Sequence, residues 1–137
     1  MPLKPNRPPM PEFDAEALMA AARAARQHSY APYSAFTVGA ALLCDDGTIV
    51  SGCNVENASY GLTICAEQAA VAAAVASGKR KFTAIAVSGP PEVIPPCGAC
   101  RQVLSEFAPS LHVIYGSGAD SEAASLQELL PAQFKLP

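Results

Sequence analysis

The sequence predicts an α/β fold in which helices pack on a mixed sheet. Two observations carry this reading. Segments of helical and strand character alternate in the order α-β-β-α-β-α-β-α, and the later strands are joined through helices, a connection that makes strands run parallel. At 137 residues, one domain over residues 12–137 is expected, preceded by a Pro-rich arm over 1–11.

The arm carries Pro2, Pro5, Pro8, Pro9 and Pro11 and little that could pack. From Glu12 to about Gln27 the chain is Ala-rich, with acids early and Arg23 and Arg26 late, which complements a helix dipole. Residues 35–43 and 48–54 are apolar stretches flanking Asp46-Gly47, whose glycine supplies the positive φ of a hairpin, so two antiparallel strands are expected. Residues 55–63 show no period. The run Ala66 to Ser77 reads as a second helix, stopped by Gly78. Phe82 to Ser88 reads as a strand and Gly89 to Pro96 as a Pro-rich loop. A third helix is expected over Cys97 to Phe107, ending before Pro109. A strand follows over Leu111 to Tyr115, then a loop over 116–122. Ser125-Leu126-Gln127-Glu128 has the form of a capping box opening a short helix.

Half of the residues are hydrophobic and only 15% are charged, against about 25% in an ordinary soluble domain. That excludes intrinsic disorder. Alanine accounts for 27 residues, so the excess lies in small side chains that let helices approach closely. With so few charges, part of the surface is expected to be covered in a homo-oligomer. The net charge of −3 argues against a nucleic-acid partner, which would need a clustered Lys/Arg surface. No apolar run approaches the ~18 residues of a membrane helix, and the N-terminus lacks a signal pattern. The expectation is a cytoplasmic protein without a membrane partner. Cys44, Cys53, Cys65, Cys97 and Cys100 are odd in number, and a reducing compartment keeps thiols unpaired.

Their spacing therefore needs another explanation. Cys97 and Cys100 stand at i and i+3 on the first turn of the third helix, and Cys65 stands at the start of the second. Partial positive charge at helix N-termini favours thiolate over thiol, so three anionic ligands can meet around one cation. Structural zinc sites are closed by four protein ligands, whereas catalytic ones leave a position to water. Cys44 or Cys53 could in principle supply a fourth ligand; His28 and His112 have no partner at ligand spacing. Glu67, two residues after Cys65, is placed to reach a metal-bound water without ligating the ion. Zinc lowers the pKa of such water, and a carboxylate can pass its proton to a substrate nitrogen. The Cys₃ ligand set, the unligating Glu and the proline before C-x-x-C match the general description of zinc deaminases. Three simpler readings stand beside this one. A lone C-x-x-C at a helix start also marks a thiol oxidoreductase, Cys65 alone is a small buried hydrophobe, and Glu67 alone is a first-turn acid. A purely structural zinc module is a further alternative.

Longer motifs extend the match. Tyr33-Ser34-Ala35-Phe36 with Val38-Gly39-Ala40-Ala41-Leu42, then Asn54 through Glu67 (NVENASYGLTICAE), then Pro96-Cys97-Gly98-Ala99-Cys100-Arg101-Gln102-Val103-Leu104, together resemble the small homotetrameric cytidine deaminases. The likeness runs from about Ala15 to Phe134. It implies a three-layer α/β/α sandwich around a mixed five-stranded sheet, the fifth strand falling near Glu122 to Leu126. It implies one zinc per chain on Cys65, Cys97 and Cys100, with Glu67 as the proton shuttle in hydrolytic deamination of cytidine and 2′-deoxycytidine.

The same resemblance places Asn54, Val55 and Glu56 at the ribose, the Ala66 amide at the base carbonyl, the Pro96 carbonyl at the amino group and Phe36 against the pyrimidine ring. Tyr60 and Phe134 match positions that complete a neighbouring subunit's pocket. The residue chemistry agrees: an amide with a carboxylate reads a hydroxyl as donor and acceptor, and a flat base favours an aromatic wall. A deaminase of a cytosine-containing antibiotic nucleoside shares Cys-Ala-Glu and Pro-Cys-x-x-Cys, but Asn54-Val55-Glu56-Asn57-Ala58 favours the ordinary nucleoside. One position departs from the family pattern. Many members carry Arg after the Glu, where it offsets thiolate charge; here Gln68 stands, able to donate to sulfur but uncharged. Arg101 and the two helix dipoles are expected to help compensate.

Overall fold

The computed structural model describes residues 13–90, 95–117 and 120–137. The expected Pro-rich arm lies outside the described residues, as does the middle of the Gly89–Pro96 loop.

Helix α1 (Ala15–Arg26) begins three residues later than Glu12 because Asp14 is its cap. The Asp14 carboxylate accepts from the Ala17 amide at 3.0 Å, satisfying one of the donors a helix start leaves without a partner. Strand β1 (Gly39–Cys44) also starts later than the apolar run suggested. A turn at 32–34 is followed by irregular backbone over 35–38 instead, with Ala35 at φ 59° and the Val38 amide donating to the Asn54 side chain at 2.9 Å. The hairpin to β2 (Ile49–Cys53) is as expected, with Gly47 at φ 89°.

Helix α2 (Ala66–Ala76), strand β3 (Phe82–Ser88), helix α3 (Gly98–Phe107) and strand β4 (His112–Gly116) fall close to their expected bounds. Strand β5 (Ser121–Ser125) begins inside the expected loop 116–122. It is made of small and polar residues with weak strand propensity and exists because it pairs antiparallel with β4, Gly116 opposite Ser121 and His112 opposite Ser125. The capping box is present: the Ser125 hydroxyl accepts from the Glu128 amide at 3.2 Å and the Glu128 carboxylate accepts from the Ser125 amide at 3.2 Å. It opens α4 (Leu126–Leu129).

The sheet order is β2-β1-β3-β4-β5. Only β3 and β4 run parallel, joined through α3; the other three pairs are antiparallel. Alternation along the strands then dictates three layers. On one face Ala41, Ala84, Ala86 and Ile114 receive Leu18, Met19 and Ala22 of α1. On the other, Leu42, Ile85, Val113 and Tyr115 pack with Ala70 and Ala74 of α2, Leu104 of α3 and Leu126 of α4. Small residues set the spacing of α2. A Cβ at Gly52 would come within 2.5 Å of the Ala70 nitrogen and 2.7 Å of the Ala66 oxygen, so the β2 backbone touches the first turns of α2. Among the described residues no helix is long and apolar enough to cross a membrane.

Candidate active site

The starts of α2 and α3 meet on the same face of the sheet. Cys65 is the N-cap of α2 and Cys97 the N-cap of α3, while Cys100 lies in the first turn of α3. Their three sulfurs lie within 4.8 Å of one another, and Cys97 Sγ is 3.5 Å from Cys100 Sγ. No other cluster of metal-ligating side chains occurs among the described residues. Cys44 is buried in the core and its thiol is pushed up, first by burial; neither it nor Cys53, His28 or His112 joins the group. The donor set is therefore three sulfurs with an open side, the pattern of a catalytic zinc site.

The ionisation of the thiols tests that fit. Cys65 is pulled down to about 7, first by a hydrogen bond with Cys100. Cys100 is driven far above the ordinary thiol range, first by that bond to Cys65, then by its own burial and the Glu67 charge. Three sulfurs this close cannot all ionise on their own. A thiophilic divalent cation removes the conflict by neutralising the set, and the two helix N-termini favour the same ionisation. The residues fit zinc.

Glu67 is 6% exposed. Burial raises its carboxyl above the usual carboxylate pKa, the direction that makes a carboxylate a better proton acceptor. It lines a cavity of about 260 Å³ together with Ser34, Phe36, Asn54, Glu56, Cys65, Ala66, Cys97 and Cys100. Most of the residues expected at the site thus share one pocket.

The sequence model of the cytidine and deoxycytidylate deaminase zinc-binding region matches residues 13–117. The chain belongs to this deaminase family. Cytidine deaminase of Sporosarcina psychrophila is 47% identical over 125 residues, covering 89% of this chain and 92% of its own. The Mycobacterium tuberculosis cytidine deaminase is 52% identical over 102 residues, 74% of this chain and 77% of its own. The crystal structure of cytidine deaminase from Burkholderia pseudomallei aligns with a TM-score of 0.85 at 50% identity, covering 89% of this chain and all of that one.

In this deaminase the remaining expected residues are placed as follows. The Asn54 amide is 8% exposed: its Oδ1 accepts from Ser29 Oγ and the Val38 amide, and its Nδ2 donates to the Phe36 carbonyl at 2.7 Å. One N–H of Asn54 remains for a ligand. Glu56 accepts from the Tyr33 and Ser34 amides at 3.0 and 3.2 Å and from the Ser34 hydroxyl. These bonds, the hydroxyl first, hold its carboxyl below the usual range. The Ala66 amide belongs to the α2 first turn, whose donors have no intrahelical partner. Val55 is outside the cavity lining: its amide and carbonyl bond Ile64, each at 2.9 Å, and its side chain faces outward.

Gln68 donates to Cys100 Sγ at 3.6 Å. Arg101, expected beside it as a partner of the thiolates, turns elsewhere: Nε donates to the Pro96 carbonyl at 2.7 Å and a terminal nitrogen to the Leu129 carbonyl at 2.6 Å. It links the loop before α3 to the end of α4. The Pro96 carbonyl keeps a second lone pair. Tyr60 and Phe134 are 76% and 67% exposed, neither lining the cavity of its own chain. Sequence reasoning assigned no role to Ser34 or Gly52. Ser34 lies within Tyr33-Ser34-Ala35-Phe36, but its partner Glu56 is 22 positions away, and no local pattern reports such a pairing.

Proposed function

We propose that the protein deaminates cytidine and 2′-deoxycytidine hydrolytically to uridine and 2′-deoxyuridine, releasing ammonia. The observation that carries this is the convergence of Cys65, Cys97 and Cys100 with buried Glu67 on one cavity.

The three thiolates hold zinc, which supplies Lewis acidity and brings water near its ionisation range. The residues of the chain do the rest. Glu67 takes a proton from the attacking water and delivers it to ring N3 as the C4–O bond forms. It then carries the second proton to the amino group, so that the C4–N bond breaks and ammonia leaves. A carboxyl held above its usual pKa by burial suits both halves of that transfer. Phe36 packs on the ring. The Ala66 amide donates to the base carbonyl and the Pro96 carbonyl accepts from the amino group. Asn54, through its free N–H, and Glu56 read the ribose hydroxyl. Val55 acts only as the spacer that sets both at the rim.

Segments that supply cavity-lining residues also expose large hydrophobics: Tyr33, Val55, Leu62 and Ile64 are chain neighbours of Ser34, Asn54 and Thr63. Tyr30 and Tyr60 are exposed too, and Tyr33 and Tyr60 stack edge-on with ring centroids 6.2 Å apart. Such a surface suits burial by further copies of the chain, and a homotetramer in which Tyr60 and Phe134 finish a neighbour's pocket accounts for it. Five unpaired cysteines suit a reducing compartment such as the cytoplasm. Glu67→Ala tests the chemistry: zinc content and fold should persist while cytidine turnover disappears. Retained turnover would remove Glu67 from the reaction.

A further inference from the structure

The segment Tyr33 to Phe36, which leaves the turn at 32–34, carries a hydroxyl with two simultaneous partners. Ser34 Oγ donates to Glu56 Oε2 and accepts from the Phe36 amide at 3.0 Å. The Ser34 and Tyr33 amides both donate to the other oxygen, Oε1, at 3.2 and 3.0 Å. A carboxylate offers roughly four lone-pair positions. Three are filled by the chain itself, two on Oε1 and one on Oε2, so the acceptor position left for a ligand is on the oxygen that Ser34 holds. Ser34, Phe36 and Glu56 all line the cavity.

The segment does not hold itself. Ala35 sits at φ 59°, a left-handed conformation that disfavours a residue with a Cβ, and such conformations persist when surrounding bonds over-determine them. The flanking bonds are those of Ser34 and the Ala35 amide to the Ala31 carbonyl at 3.0 Å. Without the hydroxyl, the Phe36 amide loses its acceptor and Glu56 Oε2 loses its donor, leaving the carboxylate held through Oε1 alone.

We infer that Ser34 is a positioning residue that fixes, through one hydroxyl, both the ribose-reading oxygen of Glu56 and the placement of the Phe36 ring. This rests on the proposed nucleoside function. Ser34 touches neither the reacting atoms nor the zinc ligands, so its loss acts on binding rather than on the chemical step.

The experiment is steady-state kinetics on cytidine for the full-length protein, Ser34→Ala, Ser34→Thr, Glu56→Gln and the Ser34→Ala/Glu56→Gln double variant, with zinc content and Tm measured for each. Ser34→Ala should raise KM about tenfold with kcat held within about threefold, the scale of a hydrogen bond to a charged group. Ser34→Thr, which keeps the hydroxyl, should restore KM to within about threefold. In the Glu56→Gln background the Ser34 substitution should raise KM by clearly less than its roughly tenfold in the wild type, the part that remains being the part carried by the Phe36 amide. An unchanged KM in Ser34→Ala, a loss confined to kcat, or additive effects in the double variant would overturn the inference. Absence of cytidine turnover in the wild-type protein would instead overturn the proposed function, and this assignment with it.

Discussion

Gln68 Nε2 donates to Cys100 Sγ at 3.6 Å, a contact one residue beyond the buried Glu67 that ties the first turn of α2 to the first turn of α3. The bond needs no charge on residue 68, which is how the site accommodates glutamine where the family resemblance leads one to expect arginine. Groups that hydrogen-bond metal ligands are typically worth about 10–100-fold in metal affinity. Gln68→Ala should therefore weaken zinc binding by about that factor in competition with a chromogenic chelator, and Gln68→Arg should not. Equal affinities for all three proteins would reduce Gln68 to a space-filler.

Gly52 governs the same site from the sheet. Because a Cβ there meets the α2 backbone at 2.5 and 2.7 Å, Gly52→Ala must push α2 outward and carry Cys65 and Glu67 with it. Overpacking of this kind costs about 1–3 kcal/mol. A lower Tm together with reduced zinc content is expected, whereas Gly61→Ala, where nothing lies within 4 Å, should leave Tm unchanged. Normal zinc content in Gly52→Ala would show that α2 is not seated by this contact.

What the sequence made legible followed from local chemistry. The Asp46-Gly47 hairpin, the Ser125/Glu128 capping box and the limits of β3 each depend on residues within a few positions of one another. The three sulfurs were legible because each lies at a helix start, and helix starts can be read from pattern. Strand β5 was not legible from local pattern and came only with the family resemblance, near Glu122 to Leu126, because Ser121 to Ser125 lacks β-branched and aromatic residues and is made a strand by β4. The bonds of Arg101 to the Pro96 and Leu129 carbonyls were equally invisible, since they depend on where α4 ends in space.

His112 gives the fold a pH dependence away from the site. Burial depresses its pKa below the ordinary value of 6.5. Between the folded and unfolded values the unfolded chain binds a proton that the folded chain does not, so stability is full above about pH 6.5 and falls as pH drops through that window. Tm measured from pH 7.5 down to 5 should decline, and His112→Gln should flatten the decline. An equal slope in both proteins would assign the effect to other groups.

If Phe134 finishes a neighbour's pocket, subunits carrying different defects should complement each other. Glu67→Ala chains, inactive alone, and Phe134→Ala chains, weakly active alone, should regain activity when mixed under conditions that exchange subunits. The pocket of the second chain then keeps its own Glu67 and borrows Phe134 from the first. No gain on mixing, with subunit exchange verified, would place Phe134 outside any shared pocket.

The central claim is that Cys65, Cys97 and Cys100 hold a zinc ion without which Glu67 has no chemistry to perform. Its most direct test follows the ultraviolet absorbance of cytidine with the protein as prepared, after zinc removal by a chelator, and after zinc is returned. The account predicts conversion to uridine, its loss on chelation in step with one zinc per chain, and its return with the metal. Full activity in zinc-free protein would contradict it.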